Sequence, residues 1–165
     1  MSKSRNKGGQ GTPATVALTQ AKVDFTLHPY EHDANAQAYG EEAADALGVP
    51  YEQIFKTLVA EVDGGLAVAV VPVSGKLDLK AFAAALRSKR AAMAEAAKVE
   101  RVTGYVVGGI SPLGQRKRLP TVIDASALEF GTIYFSAGRR GLQIETAPAE
   151  LVRLTQATTA PIGKL

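Results

Sequence analysis

FKTLVAEVDGGLAVAVVPV, residues 55–73, decides the reading of this chain. Two runs rich in β-branched and apolar residues, Phe55 to Val62 and Leu66 to Val73, flank Asp63-Gly64-Gly65, a combination that signals a β-hairpin. Further strands are expected at Val23 to Leu27, Tyr105 to Gly108, Thr121 to Asp124, Thr132 to Ser136 and Leu142 to Glu145, the last two joined by Gly138-Arg139-Arg140-Gly141. Helices are expected from Thr12-Pro13 to about Ala21, where Thr caps and Pro suits the first turn. Others run over Glu41 to Leu47, closed by Gly48 and Pro50, Asp78 to Arg87, Glu95 to Val102 and Ala149 to Thr155. Hairpins dominate the strand connections, so the expected fold is a single α/β domain: a curved, mixed, largely antiparallel sheet with helices around it. Residues 1–11 read as a disordered basic arm, 12–157 as the domain, and 158–165 as a flexible tail.

The chain has 165 residues and no cysteine, which excludes disulfides, thiolate nucleophiles and Cys-ligated zinc. No apolar run suits a membrane span and no apolar leader precedes the body, so a cytoplasmic location is expected. The net charge is +3, and the arm holds three of the 19 basic residues, Lys3, Arg5 and Lys7. The remaining 16 balance 16 acids. Attraction to nucleic acid must therefore come from clusters such as Arg87/Lys89/Arg90, Arg116/Lys117/Arg118 and Arg139/Arg140.

The chemistry concentrates in GYVVGGISPLGQRKRLP, residues 104–120. Gly108, Gly109, Ile110 and Ser111 form a turn whose amides can face an anion or a carbonyl oxygen. Arg116, Lys117 and Arg118 follow and suit phosphate. The competing reading is an ordinary turn with a solvated basic loop. Lys56 shares a strand face with Ile54 and Leu58, where a lone ammonium needs an anion or a pocket unless it snorkels to water. Thr57 beside it is a second binding candidate. The loop HPYEHD, residues 28–33, holds both histidines around Tyr30, whose hydroxyl can orient a substrate or simply cap a core edge. His28, His32 and Asp33 have no second ligand cluster, and Ser111 followed by Pro112 is no nucleophile elbow, so neither a metal nor a cofactor nor a serine triad is expected.

TPA at 12–14, HPYEHD, FKTLVAEV at 55–62, PVSGKLDLK at 72–80, TGYVVGGISPLGQRKRLPTVID at 103–124 and SAGRRGLQIE at 136–145 together resemble the bacterial YbaK family of Cys-tRNA(Pro) deacylases. That family is similar in turn to the editing domain inserted in bacterial prolyl-tRNA synthetase. The resemblance implies trans-editing: removal of cysteine from mischarged proline tRNA, beside prolyl-tRNA synthetase. It implies that the family's lysine, loop tyrosine and first turn glycine fall on Lys56, Tyr30 and Gly108. Where the cysteine-preferring subgroup has a carboxylate, this chain has Gln143, with Glu145 two residues on as a partial substitute. The implied mechanism is attack by the substrate's own thiol on its ester, with Gly108 to Ile110 as the oxyanion site. The alternatives are water attack on another small aminoacyl group such as alanine, or a non-catalytic tRNA- or synthetase-binding module.

Overall fold

A computed structural model describes residues 11–33, 35 and 38–165. The chain enters at Thr12, whose hydroxyl accepts from the Thr15 N–H at 3.2 Å while Thr15 Oγ1 accepts from the Thr12 N–H at 2.8 Å. This reciprocal box starts α1 (Pro13–Gln20). β1 (Thr26–Pro29) and α2 (Tyr39–Leu47) follow, and Gly48 ends α2 in the left-handed region at φ 68°. β2 (Phe55–Val62) and β3 (Gly65–Pro72) form the expected hairpin, with Asp63 and Gly64 both at positive φ. That pair of conformations matches the right-handed twist of the strands. Next come β4 (Lys76–Leu77), α3 (Leu79–Ala85) capped by Asp78, β5 (Ala91–Met93) and α4 (Ala96–Thr103). The rest is β6 (Thr121–Asp124), β7 (Ile133–Arg139), β8 (Leu142–Thr146), α5 (Pro148–Thr155), β9 (Thr158–Ala160) and β10 (Gly163–Lys164).

Five strands form a mixed sheet in the order β5-β2-β3-β6-β9, antiparallel around β2 and parallel from β3 to β9. A second, antiparallel sheet has the order β1-β8-β7, and a parallel bridge between Ile54 and Tyr134 joins the two. The main core lies between them, where Phe55, Val59, Val68 and Val70 meet Ile133, Phe135, Leu142 and Ile144. On the other side of β2, β3 and β6, Ala60, Ala69, Val71 and Val122 pack against Phe82 of α3 and Ile162. With both faces covered, β3 reads as an unbroken apolar run rather than an alternation. Among the described residues no helix is long and apolar enough to cross a membrane.

Two expectations are corrected. Tyr105 to Gly108 is an irregular loop, not a strand. Gly104 and Gly108 adopt φ 82° and 96°, which breaks the extended run, and Tyr105 turns inward to donate its hydroxyl to the Leu113 carbonyl at 2.6 Å. Residues 158–165 are not a free tail: β9 pairs with β6, β10 pairs with β4, and Ile162 is fully buried. The Asp124 carboxylate fixes this segment by accepting the Ile162 and Gly163 N–H groups, each at 2.8 Å. Residues 1–10 of the expected arm lie outside the described residues.

Candidate active site

The site begins with a gap in strand pairing. β5 pairs with β2 only from Ala60 to Val62, and the Val59 carbonyl takes one more bond from the Ala94 N–H at 3.2 Å. At the other end the Gln53 carbonyl accepts from the Tyr134 N–H at 3.1 Å. In a ladder, alternate residues present their main-chain groups to the same side. Thr57, between these two anchors, therefore turns its N–H and C=O toward the open edge. Beside that edge lies a cleft of about 430 Å³ lined by residues 55–59 of β2, the start of α2, the loop at 107–110 and the β7–β8 hairpin. It contains Tyr30, Lys56, Thr57, Gly108, Ile110 and Gln143 of the residues expected from sequence.

Lys56 is half-buried, and among the described residues no carboxylate lies within ion-pair distance of it. Burial lowers its pKa; Glu41, in the first turn of α2, pulls it back up and Lys76 adds to the depression. Glu41 is the one carboxylate lining the cleft among the described residues. Thr57 Oγ1 and Gln143 Oε1 are buried and have no hydrogen-bond partner among the described residues. An unpaired buried polar atom costs about 1–3 kcal/mol, so two of them in one cleft point to a ligand or water that pairs them. Burial raises the Tyr30 phenol's pKa and so keeps it protonated; interactions with Gly141 and Gln143 only partly offset that.

The glycine turn is more selective than its sequence suggests. The Val107 N–H is bound to the Glu100 carboxylate at 2.9 Å and the Gly109 N–H to the Val106 carbonyl at 2.8 Å. Among the described residues the N–H groups of Gly108 and Ile110 have no such acceptor, and both residues line the cleft. Gly109 instead packs on the hairpin, where a Cβ would lie 2.6 Å from Arg139 Cα. The oxyanion candidates therefore narrow to the Gly108 and Ile110 amides.

Other expected residues stand elsewhere. Ser111 is fully buried, and its hydroxyl accepts from the Leu113 N–H at 3.2 Å, so it shapes the turn rather than meeting a ligand. Arg116, Lys117 and Arg118 are exposed and off the cleft. Arg116 donates to the Arg101 carbonyl near the end of α4 at 3.3 Å, and Arg118 to the Leu154 carbonyl near the end of α5 at 2.9 Å. Two of the three cations thus serve helix C-termini, where positive charge is favourable. Glu145 is engaged as well, accepting from Thr132 Oγ1 at 2.6 Å and lying 2.8 Å from His28 Nε2, so it does not stand in beside Gln143. Sequence reasoning missed Glu41, Ser136 and Tyr39 in the cleft. Ser136 had a signal: it faces Gln143 across the β7–β8 pair.

A cleft built from main-chain donors, one lysine and unpaired polar atoms, with no thiol and no exposed serine at its turn, suits a substrate held as an ester or anion and stabilised by dipoles. The chain belongs to the aminoacyl-tRNA editing domain family, whose sequence profile matches residues 33–154. It is 36% identical over 159 residues, 96% of each chain, to EbsC of Enterococcus faecalis, provisionally named a Cys-tRNA(Pro)/Cys-tRNA(Cys) deacylase. It is 30% identical, over 84% of each chain, to the multifunctional Ser/Thr-tRNA deacylase ProXp-y of Escherichia coli K12. A crystal structure provisionally assigned as a trans-editing enzyme for prolyl tRNA synthetase superposes with a TM-score of 0.81 at 25% identity, covering 100% of this chain and 99% of the other.

Proposed function

We propose that this chain is a trans-editing deacylase that removes cysteine from mischarged proline tRNA. The observation that carries the reading is the convergence of Lys56 with the two open amides of Gly108 and Ile110 on one cleft. The 3′-terminal ester enters that cleft, and the amides of Gly108 and Ile110 stabilise the charge that develops on its carbonyl oxygen. The Lys56 ammonium offsets charge on the terminal nucleotide. The substrate thiol supplies the nucleophile: its sulfur bonds to the ester carbon, the bond to the ribose oxygen breaks, and the thiol proton ends on that oxygen. The products are free tRNA and a cyclic thioester of cysteine. The protein's share is holding the reacting atoms together, which replaces a catalytic nucleophile. Association with prolyl-tRNA synthetase is part of the proposal, supported by the structural neighbour.

One observation favours a second reading. Gln143 Oε1 and Thr57 Oγ1 are neutral acceptors without a partner among the described residues, and a hydroxyl donates to them better than a thiol does. The second reading is therefore removal of serine or threonine, the aminoacyl groups in the name of the relative ProXp-y, with water as the nucleophile. Single-turnover deacylation of Cys-, Ser-, Thr-, Ala- and Pro-tRNA decides between them. Cysteine far ahead of serine supports thiol attack; equal or reversed rates establish the second reading; loss of none of the five overturns both.

A further inference from the structure

The loop that presents Gly108 is gripped from outside the cleft. Arg140, at the tip of the β7–β8 hairpin, lays its guanidinium over the Tyr39 ring, 4.1 Å from the ring centre. Its Nη2 donates to the Tyr39 hydroxyl at 2.8 Å and to the Val107 carbonyl at 3.4 Å. Tyr39 opens α2, and the next two residues, Gly40 and Glu41, line the cleft. Val107 and Gly108 line it from the loop, and Ser136 and Gln143 from the hairpin itself. One side chain thus ties together three walls contributed by segments far apart in sequence. Gly108 fits beneath it because it has no side chain: a Cβ there would lie 2.5 Å from Arg140 Nε and 3.1 Å from Tyr39 Cε2, on a backbone at φ 96°. The glycine is required by this contact before any ligand arrives.

We propose that Arg140, with Tyr39 as its partner, is a positioning residue that sets the Gly108 amide against the ester bound in the cleft. The proposal rests on the deacylase reading above. A planar guanidinium stacks on a ring and donates in its own plane at once, which an ammonium cannot do. The obvious competitor is that Arg140 contacts a tRNA phosphate, and the two assignments move different quantities. A positioning residue acts on the transition state, so Arg140→Gln should lower kcat about 10- to 100-fold with KM within about threefold of wild type. The dependence of tRNA binding on salt should stay unchanged. A phosphate contact would raise KM and reduce the log–log salt slope by roughly one unit. Arg140→Lys keeps the charge and should remain as impaired as Arg140→Gln. Tyr39→Phe should lose only a few-fold, and Tyr39→Ala combined with Arg140→Gln should be no worse than the poorer single variant, because the two act as one unit.

A second measurement does not depend on turnover. Hydrogen–deuterium exchange should accelerate in the peptide covering 104–110 of Arg140→Gln while the β2–β3 hairpin keeps its protection. Unaltered exchange in that peptide overturns the proposal even if activity falls, and so does full activity of Arg140→Lys. Accelerated exchange in a protein whose wild type deacylates no aminoacyl-tRNA would uphold the grip on the loop and remove the reading it was meant to serve.

Discussion

Replacing Gly109 with alanine tests whether main-chain placement limits this site. The Gly109 N–H closes a turn on Val106, and its α-carbon rests on the hairpin. An added Cβ would lie 2.6 Å from Arg139 Cα and 2.9 Å from both Arg139 C and Arg140 N. Ordinary contact starts near 3.4 Å, so loop and hairpin must separate by about 0.8 Å, and the obstacle is backbone, which cannot rotate aside. The residues on either side, Gly108 and Ile110, carry the two open amides. A displacement approaching 1 Å in a catalytic donor costs about 100-fold in rate. Gly109→Ala should therefore fold, with a stability loss of about 1–3 kcal/mol from overpacking, and lose about 100-fold in single-turnover deacylation. Gly131→Ala is the matched control, because a Cβ there meets nothing within 4 Å. The assay pairs deacylation of Cys-tRNA(Pro) with urea unfolding of both variants. A folded Gly109→Ala within twofold of wild-type rate would refute the assignment of the turn amides to the reaction.

Lys56→Ala should keep the fold and lose at least about 30-fold in activity, the lower end for removing a buried charged contact, as measured by the same single-turnover assay. Burial lowers the Lys56 pKa, so the protonated form is lost at lower pH than for an ordinary lysine, and activity should fall on the alkaline side accordingly. Glu41 holds that pKa up, so Glu41→Gln should move the alkaline limb of the pH–rate profile to lower pH; an unmoved limb would mean that Lys56 is not the titrating group. The Asp124 carboxylate has a depressed pKa: burial raises it, but hydrogen bonds from Ser126, Gly163 and Ile162 outweigh that. Its contribution is present above the unfolded-state aspartate range and lost as pH falls through the depressed folded value. Asp124→Ala should thus cost about 3 kcal/mol near neutrality and much less in acid, with faster amide exchange confined first to 158–164; a pH-independent loss would contradict the role of the charge.

The hairpin at 55–73 was legible because turn chemistry and composition agreed over the whole segment, and the observed register runs from Phe55 opposite Pro72 to Val62 opposite Gly65. That Lys56, Tyr30, Gly108 and Gln143 belong together was legible through the resemblance alone, and the structure sets all four around one cleft. What failed were features decided by tertiary partners. Tyr105 to Gly108 has strand-like composition but finds no strand partner among the described residues, and Gly108, like Gly104 before it, takes the left-handed region instead. The segment 158–165 lacks any strong pattern, yet one buried carboxylate and one free sheet edge order it. For Arg116 to Arg118 the sequence shows the charge but not the helix ends that two of them reach. Glu41 gave no signal, since an acid in the first turn of a helix is ordinary there.

The gap in pairing along β2 has a bearing on solubility. An open strand edge in an apolar setting is a template on which other chains can add. Here the bond from Ala94 to Val59 closes one end and the bond from Tyr134 to Gln53 closes the other. Between them the open edge runs from the Phe55 C=O through both main-chain groups of Thr57 to the Val59 N–H, five residues that span only about 16 Å. An incoming polypeptide would have at most four hydrogen bonds to gain there while giving up about 1–2 kcal/mol of backbone freedom for each residue it straightened. The protein thus keeps an unpaired stretch of sheet open to a small guest while leaving only a short length on which a second chain could register.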